Sequence, residues 1–423
     1  VRIDASDVVG ADARHIWHPY TQHLDARPAI EAVAASGAFI QTADGRSIFD
    51  AISSWWVTLH GHSHPAIAQA IAQQAATLDQ VIFTSFTHEP AALFARDLAA
   101  VLPDGLNRVF FSDDGSTAVE VAVKMALQYQ ANCGNDRSIV VALENAYHGD
   151  TFGAMSVSSR GTFTDPFSTL LFDVRRLPDP ATGDAVSAFD SLIEREGRSI
   201  AALIVEPLLQ GAGGMVMYDE SVLAALRLRA SEHDILFIAD EVLTGFGRTG
   251  PLFACQRAGI SPDIMCLSKG LTGGALPLGA TVTTDGIFAA FLSEDRHRTL
   301  FHGHSYTANP IACAAGRASL ALLDDASARK REAINLAHVA GLGRIAAHDR
   351  VQNARVIGTV AAFDLVGASG YLSPIGKELA DFALGFDILL RPLGNVVYLL
   401  PPFCATPADL QTVYNVIEQF LTS

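Results

Sequence analysis

The chain has 423 residues, of which 49% are hydrophobic and 17% charged, with a formal net charge of -16; it can bury one large core or two and carries no compositional mark of disorder. The negative charge is spread without long like-charge runs, which excludes the basic footprint of a protein that binds nucleic acid or an anionic membrane surface. Glu206, Asp240 and Lys269 interrupt the apolar runs before any reaches the roughly 20 residues of a spanning helix, the early Asp4, Asp7 and Asp12 do not form a secretory signal, and Cys133, Cys255, Cys266, Cys313 and Cys404 are widely spaced and suit reduced packing residues, so the expectation is a soluble, cytosolic protein.

In chain order, the first 60 residues carry Ile16-Trp17-His18-Pro19-Tyr20-Thr21-Gln22 and Ser53-Ser54-Trp55-Trp56. From about residue 105, short apolar runs rich in β-branched and aromatic residues alternate with longer helical stretches, the rhythm of a parallel sheet wrapped by helices. Strands are predicted at Arg108 to Ser112, Ser138 to Leu143, Ala202 to Val205, Ile235 to Ala239 and Ile264 to Leu267, and helices at Ser116 to Gln130 and Ser221 to Glu232. Several strand ends carry polar residues, where such sheets place their sites. After about residue 325 the alternation weakens; a charged helical stretch around Asp324 to Glu332 leads to strand-like runs at Val356 to Leu365 and Val396 to Leu400. The division expected is a large domain over 61–325, with 1–60 and 326–423 together forming a smaller one.

Only four lysines occur, Lys124, Lys269, Lys330 and Lys377. Lys124 follows Glu120 by four residues on a predicted helix and reads as a surface ion pair, and Lys330 and Lys377 sit among charged neighbours. Lys269 instead follows the apolar run ending at Leu267 and precedes Gly270, so its amine emerges at a strand end; desolvated there, it can lose its proton and attack an aldehyde. A lysine snorkelling from the strand is the bland alternative. Asp240, just past Ile-Leu-Phe-Ile-Ala, needs a partner such as a protonated pyridine nitrogen, although it could equally cap a helix or hold magnesium. Asp114-Gly115-Ser116-Thr117 opens a helix after the strand that ends at Ser112, and its free amides suit a phosphate or serve as an ordinary cap.

Tyr147-His148-Gly149-Asp150, Asp240-Glu241-Val242, Gly245-Phe246-Gly247-Arg248-Thr249-Gly250 and Ser268-Lys269-Gly270, in this order and spacing, resemble the class III (ω-type) aminotransferases of the fold-type I α/β enzymes that depend on pyridoxal phosphate (PLP). The resemblance implies that Lys269 carries PLP as a Schiff base and moves the proton, Asp240 binds the pyridine nitrogen, and Tyr147 stacks on the ring. It also implies that Gly115 and Ser116 hold the phosphate, with Ser305 of a neighbouring subunit of a homodimer completing that site. Here the chain has His304-Ser305 where Pro-Thr is usual, and a serine hydroxyl can still donate to phosphate. The segments at Trp17 and Trp55 resemble the biotin-pathway subgroup, which moves an amino group from S-adenosylmethionine to 8-amino-7-oxononanoate (KAPA). A wall of Tyr20, Trp55 and Trp56 would suit a long aliphatic chain or a sulfonium; two tryptophans packed in an interface are the plainer reading. Arg391 is the candidate for a substrate carboxylate, Arg248 and Tyr398 for lining the pocket, and Asp150 for supporting its aromatic side. A general ω-amine:pyruvate transaminase is the alternative within the class.

Three further motifs are set aside. Gly245 to Gly250 matches a dinucleotide-binding pattern, but Glu-Val-Leu-Thr separates it from the strand's Asp240 and Pro251 follows, where that fold needs a long helix. The acidic pair after an apolar strand imitates an ATPase, yet no phosphate loop of the Walker type exists. His60, His62 and His64 alternate like metal ligands but sit among Gly61, Ser63 and Pro65, as in the resembling family, and no metal is expected.

Overall fold

The computed structural model describes residues 7–24 and 26–423. Asp4 lies outside them. The central element is a seven-stranded sheet whose strands are β1 (Leu106–Ser112), β2 (Ile139–Leu143), β3 (Val174–Leu177), β4 (Ile200–Val205), β5 (Leu236–Asp240), β6 (Ile264–Leu267) and β7 (Gly279–Thr284). Their order is β1-β7-β6-β5-β4-β2-β3. β7 pairs antiparallel with both β6 and β1, and the remaining pairs are parallel. All residues of β4, β5 and β6 are buried, as expected of strands covered by helices on both faces.

Sequence reading placed five of these strands to within two residues and left out β3 and β7. β3 has two arginines in four residues, and β7 is Gly-Ala-Thr-Val-Thr-Thr, buried despite its threonines because Thr281 and Thr283 donate to the carbonyls of Ala118 and Asp263. The helix after β1, α1 (Gly115–Asn132), buries Ala118, Val119, Val121, Ala122 and Val123 against the sheet. A six-residue helix, α2 (Phe152–Val157), follows the Tyr147 segment.

The chain ends meet in smaller sheets. Ser47–Asp50 pairs antiparallel with Phe39–Thr42 and parallel with Ile388–Leu389, joining an early segment to a late one. The strand-like run at Val356 to Leu365 is two strands, Val351–Ile357 and Val360–Leu365, turned at Gly358. That glycine has φ +54°, and a Cβ on it would lie 2.4 Å from the Arg248 carbonyl oxygen; only glycine fits both demands. The charged stretch becomes the helix Asp325–Ile345, packed with Pro407–Thr422 over this sheet.

Candidate active site

A cavity of about 410 Å³ opens at the carboxyl ends of the parallel strands, between them and the start of α1, where a sheet of this topology leaves a crevice. Lys269, Asp240, Glu206, Tyr147, His148, Gly115, Ser116 and Trp56 all line it. Lys269 follows β6 in a left-handed conformation, φ +47°, a strain that a non-glycine residue adopts only when its surroundings impose it. Its Nζ lies 4.8 Å from the centre of the Trp56 ring. Loss of hydration pushes the amine down to about 8, opposed by the charges of Asp240 and Glu206 and reinforced by Arg248.

Asp240 ends β5 and is buried; its Oδ2 is 2.7 Å from Nδ1 of the fully buried His148, and its Oδ1 accepts from the Val242 amide at 3.1 Å. A carboxylate on one ring nitrogen fixes the orientation of the imidazole, and the imidazole fixes the carboxylate. At the start of α1, Asp114 caps the Thr117 amide at 2.7 Å, and Thr117 Oγ1 accepts from the Asp114 amide. That capping box leaves the Gly115 and Ser116 amides without a partner among the described residues, free for an anion. Ser116 Oγ accepts from the Asp150 amide at 3.2 Å, so its own proton is free to donate. The Tyr147 segment passes close to this terminus at Gly149, φ +130°, where a Cβ would lie 2.1 Å from Ser116 Oγ.

The two tryptophans do not form one wall. Ser53, Ser54 and Trp56 all have positive φ, so the chain turns sharply and sends the indoles apart: Trp56 is 5% exposed and faces the Lys269 cavity, while Trp55 is 38% exposed on an outer wall. Asp50 holds the turn by accepting from the Ser54 amide at 2.9 Å and from His62 Nε2 at 2.9 Å. On the outer wall, Arg391 Cζ stacks 3.9 Å from the Trp55 ring centre, and the Tyr20 ring meets Trp55 edge-on at 5.4 Å. The Tyr20 hydroxyl donates to Asp150 and lies 3.2 Å from that of Tyr147. Burial and the Asp150 contact push Tyr20 up to about 12.

Three expected residues lie elsewhere. Arg248 is fully buried and donates to the Pro401 carbonyl, Ser53 Oγ and the Thr58 carbonyl; it braces the tryptophan turn and does not line the cavity. Tyr398 packs behind Trp56, ring centres 5.8 Å apart. Ser305 is exposed, its carbonyl accepting from Gln80 at 2.7 Å, and it is not part of this chain's cavity wall. The Glu120–Lys124 pair also fails: Glu120 accepts from Thr151 Oγ1 and the Gly153 and Ala154 amides, while Lys124 Nζ reaches His302 Nδ1 at 3.1 Å. Capping α2 gives the carboxylate a hydroxyl and two backbone amides that the fold already holds in place, whereas an exposed lysine loses side-chain freedom to reach it. His60 and His62 turn to Ser319 and Asp50. Sequence reasoning assigned no role to Glu206, His148 or Asp50; a charge directly after the wholly apolar run Ile200–Val205 was the available signal for Glu206.

The residues fit PLP. Free amides and a hydroxyl proton face the cavity for its phosphate, a buried carboxylate is oriented for its ring nitrogen, and Lys269 supplies an amine that neutral water does not fully protonate. Residues 21–421 match the family model "Aminotransferase class-III". The chain is 52% identical over 419 residues to an adenosylmethionine-8-amino-7-oxononanoate aminotransferase of Synechococcus elongatus, covering 96% of this chain and 98% of that one. The crystal structure of a protein of that name from Methanocaldococcus jannaschii superposes with a TM-score of 0.95 at 33% identity, covering 99% of each chain. An amine transaminase from an uncultivated Pseudomonas species, solved in its PLP-bound form, superposes at 0.90 with 30% identity over 96% of this chain and 97% of that one. Fold, cavity and likeness define a PLP-dependent aminotransferase. The chain belongs to the class III aminotransferases.

Proposed function

We propose that this enzyme moves an amino group from S-adenosylmethionine to KAPA, giving 7,8-diaminononanoate. The observation that carries the choice of acceptor is the outer wall, where Tyr20 and Trp55 offer aromatic surface and the Arg391 guanidinium stacks 3.9 Å from Trp55. A long aliphatic chain ending in a carboxylate needs both features, apolar surface and a cation. The likeness to the Synechococcus elongatus and Methanocaldococcus jannaschii proteins supports the same substrates.

When bound, PLP supplies an aldehyde that condenses with amines and a ring that takes up electron density released at the substrate carbon. Gly115, Ser116 and, from a second subunit, Ser305 would hold its phosphate. The Asp240 carboxylate, oriented by His148, would keep its ring nitrogen protonated, and Tyr147 would cover a face of the ring. Lys269 Nζ, near neutrality for an amine, accepts the proton from the donor carbon and returns it when the acceptor is aminated. Trp56 walls Lys269 from bulk water. The active unit is a homodimer, working in the cytosol; the five unpaired cysteines suit a reducing compartment. A large domain over 61–325 and a small one from 1–60 and 326–423 are supported by the pairing of Ser47–Asp50 with Ile388–Leu389.

Turnover of KAPA with S-adenosylmethionine, measured beside turnover of pyruvate with simple ω-amines, tests the assignment. KAPA-dependent turnover is expected. Robust amine-to-pyruvate activity with no conversion of KAPA would make this a general ω-transaminase.

A further inference from the structure

Glu206 follows β4 at the cavity, and no role assigned so far uses it. It is 5% exposed, and both carboxylate oxygens meet backbone: Oε2 accepts from the Tyr147 amide at 3.0 Å and Oε1 from the Gly211 amide at 3.0 Å. The two amides belong to different segments, one after β2 that carries Tyr147 and His148, the other in the loop beyond β4. A carboxylate can receive two N–H donors at once, whereas a neutral amide or a protonated acid in its place turns a hydrogen toward one of them. No guanidinium or ammonium bonds to Glu206 among the described residues. Burial therefore pushes its carboxyl up to about 7, with His148 opposing the rise and Asp240 adding to it.

We propose that Glu206 is a positioning residue for the transfer reaction: as a carboxylate it clamps the Tyr147 and Gly211 segments to the end of β4 and adds a negative charge that favours the protonated state at Lys269. This rests on reading Lys269 as the cofactor lysine. The charged and titratable groups around the pair are Asp240, His148, Arg248, Tyr147 and Tyr218, the last donating its hydroxyl to the Glu206 carbonyl oxygen. Because the carboxyl is raised above its ordinary value, the clamp is anionic and complete above about pH 7 and loses one amide bond as pH falls through that value.

The test compares parent, Glu206→Gln and Glu206→Asp as holoenzymes by circular dichroism, by pH titration of the cofactor's absorbance band, and by kcat and KM across pH. In E206Q the loss of negative charge removes support for the protonated state, so the band should titrate lower by about one unit. The acidic limb of kcat near pH 7 should also disappear. E206D, with the charge on a shorter arm, should keep the parent's band titration and show a displaced acidic limb. An E206Q titration and acidic limb that superpose on the parent's would overturn the proposal. Should E206Q fail to fold, E206D decides, and an unmoved acidic limb overturns it. A parent with no cofactor band removes the reading beneath the proposal as well; a band that is present but unmoved in E206Q removes only the role of Glu206.

Discussion

Lys269 and Arg391 show how one side chain acquires its chemistry from its neighbours. The amine at Lys269 is held near 8 by burial, and only its neutral form can attack an aldehyde. Protein stripped of PLP should therefore regain its yellow colour faster as pH rises toward 8, by about tenfold per unit well below that value, and level off above it. Lys269→Ala should stay folded, lack turnover and leave no cofactor on the chain after borohydride reduction; a label found on Lys124 by peptide mapping would refute the assignment. At Arg391, replacement by Ala removes charge-assisted bonds worth about 1.5–3 kcal/mol, so KM for KAPA should rise roughly 10- to 150-fold. Trp55→Ala should weaken KAPA binding by about 2 kcal/mol and leave the cofactor spectrum unchanged. Trp56→Ala should perturb that spectrum, because its ring lies 4.8 Å from Lys269 Nζ. Equal spectra in the two tryptophan variants would contradict this separation of the indoles.

Elements were legible wherever the residue pattern and the burial agreed. β4, β5 and β6 are continuous apolar runs with polar residues at their carboxyl ends, so the strands and the positions of Asp240 and Lys269 could both be read. β7 could not, since its threonines look like solvent-facing residues until the carbonyls that receive their hydroxyls are known. The tryptophan turn was hidden for another reason: four residues of uninterrupted sequence do not reveal positive φ at Ser53, Ser54 and Trp56. Glu120 and Lys124 show the weakness of spacing rules, because a four-residue interval permits an ion pair but does not exclude a better partner elsewhere. The corrected geometry makes a discriminating prediction. Glu120→Ala uncaps α2 and should destabilise the fold by about 1–2 kcal/mol, whereas Lys124→Ala should cost less than about 0.5 kcal/mol. Equal, small losses in denaturant unfolding would restore the surface pair.

At the scale of the whole molecule, the surface beside the cavity argues for a second copy of the chain. Ile82, Phe86, Phe301 and Tyr306 are between 59% and 71% exposed, a concentration of large apolar side chains that a solvent-facing surface avoids. They belong to one region, because Gln80 donates to the Ser305 carbonyl and Asn309 bonds to Asp79 and Gln80. The apolar stretch Gly270 to Gly279 adds little to this surface, because Leu271 and Leu278 are buried within their own chain. Ser305 sits in the exposed region and outside its own cavity wall, which is where a residue serving a neighbour has to be. A symmetric dimer would cover the apolar side chains and carry each Ser305 to the other subunit. Sedimentation at assay concentration should give a dimer, and Phe86→Asp combined with Phe301→Asp should yield monomers that lose both PLP and turnover. Ser305→Ala should leave the dimer intact and weaken PLP retention by about fivefold, near 1 kcal/mol for one hydrogen bond. A doubly substituted monomer that keeps full activity would show that one chain completes its own phosphate site.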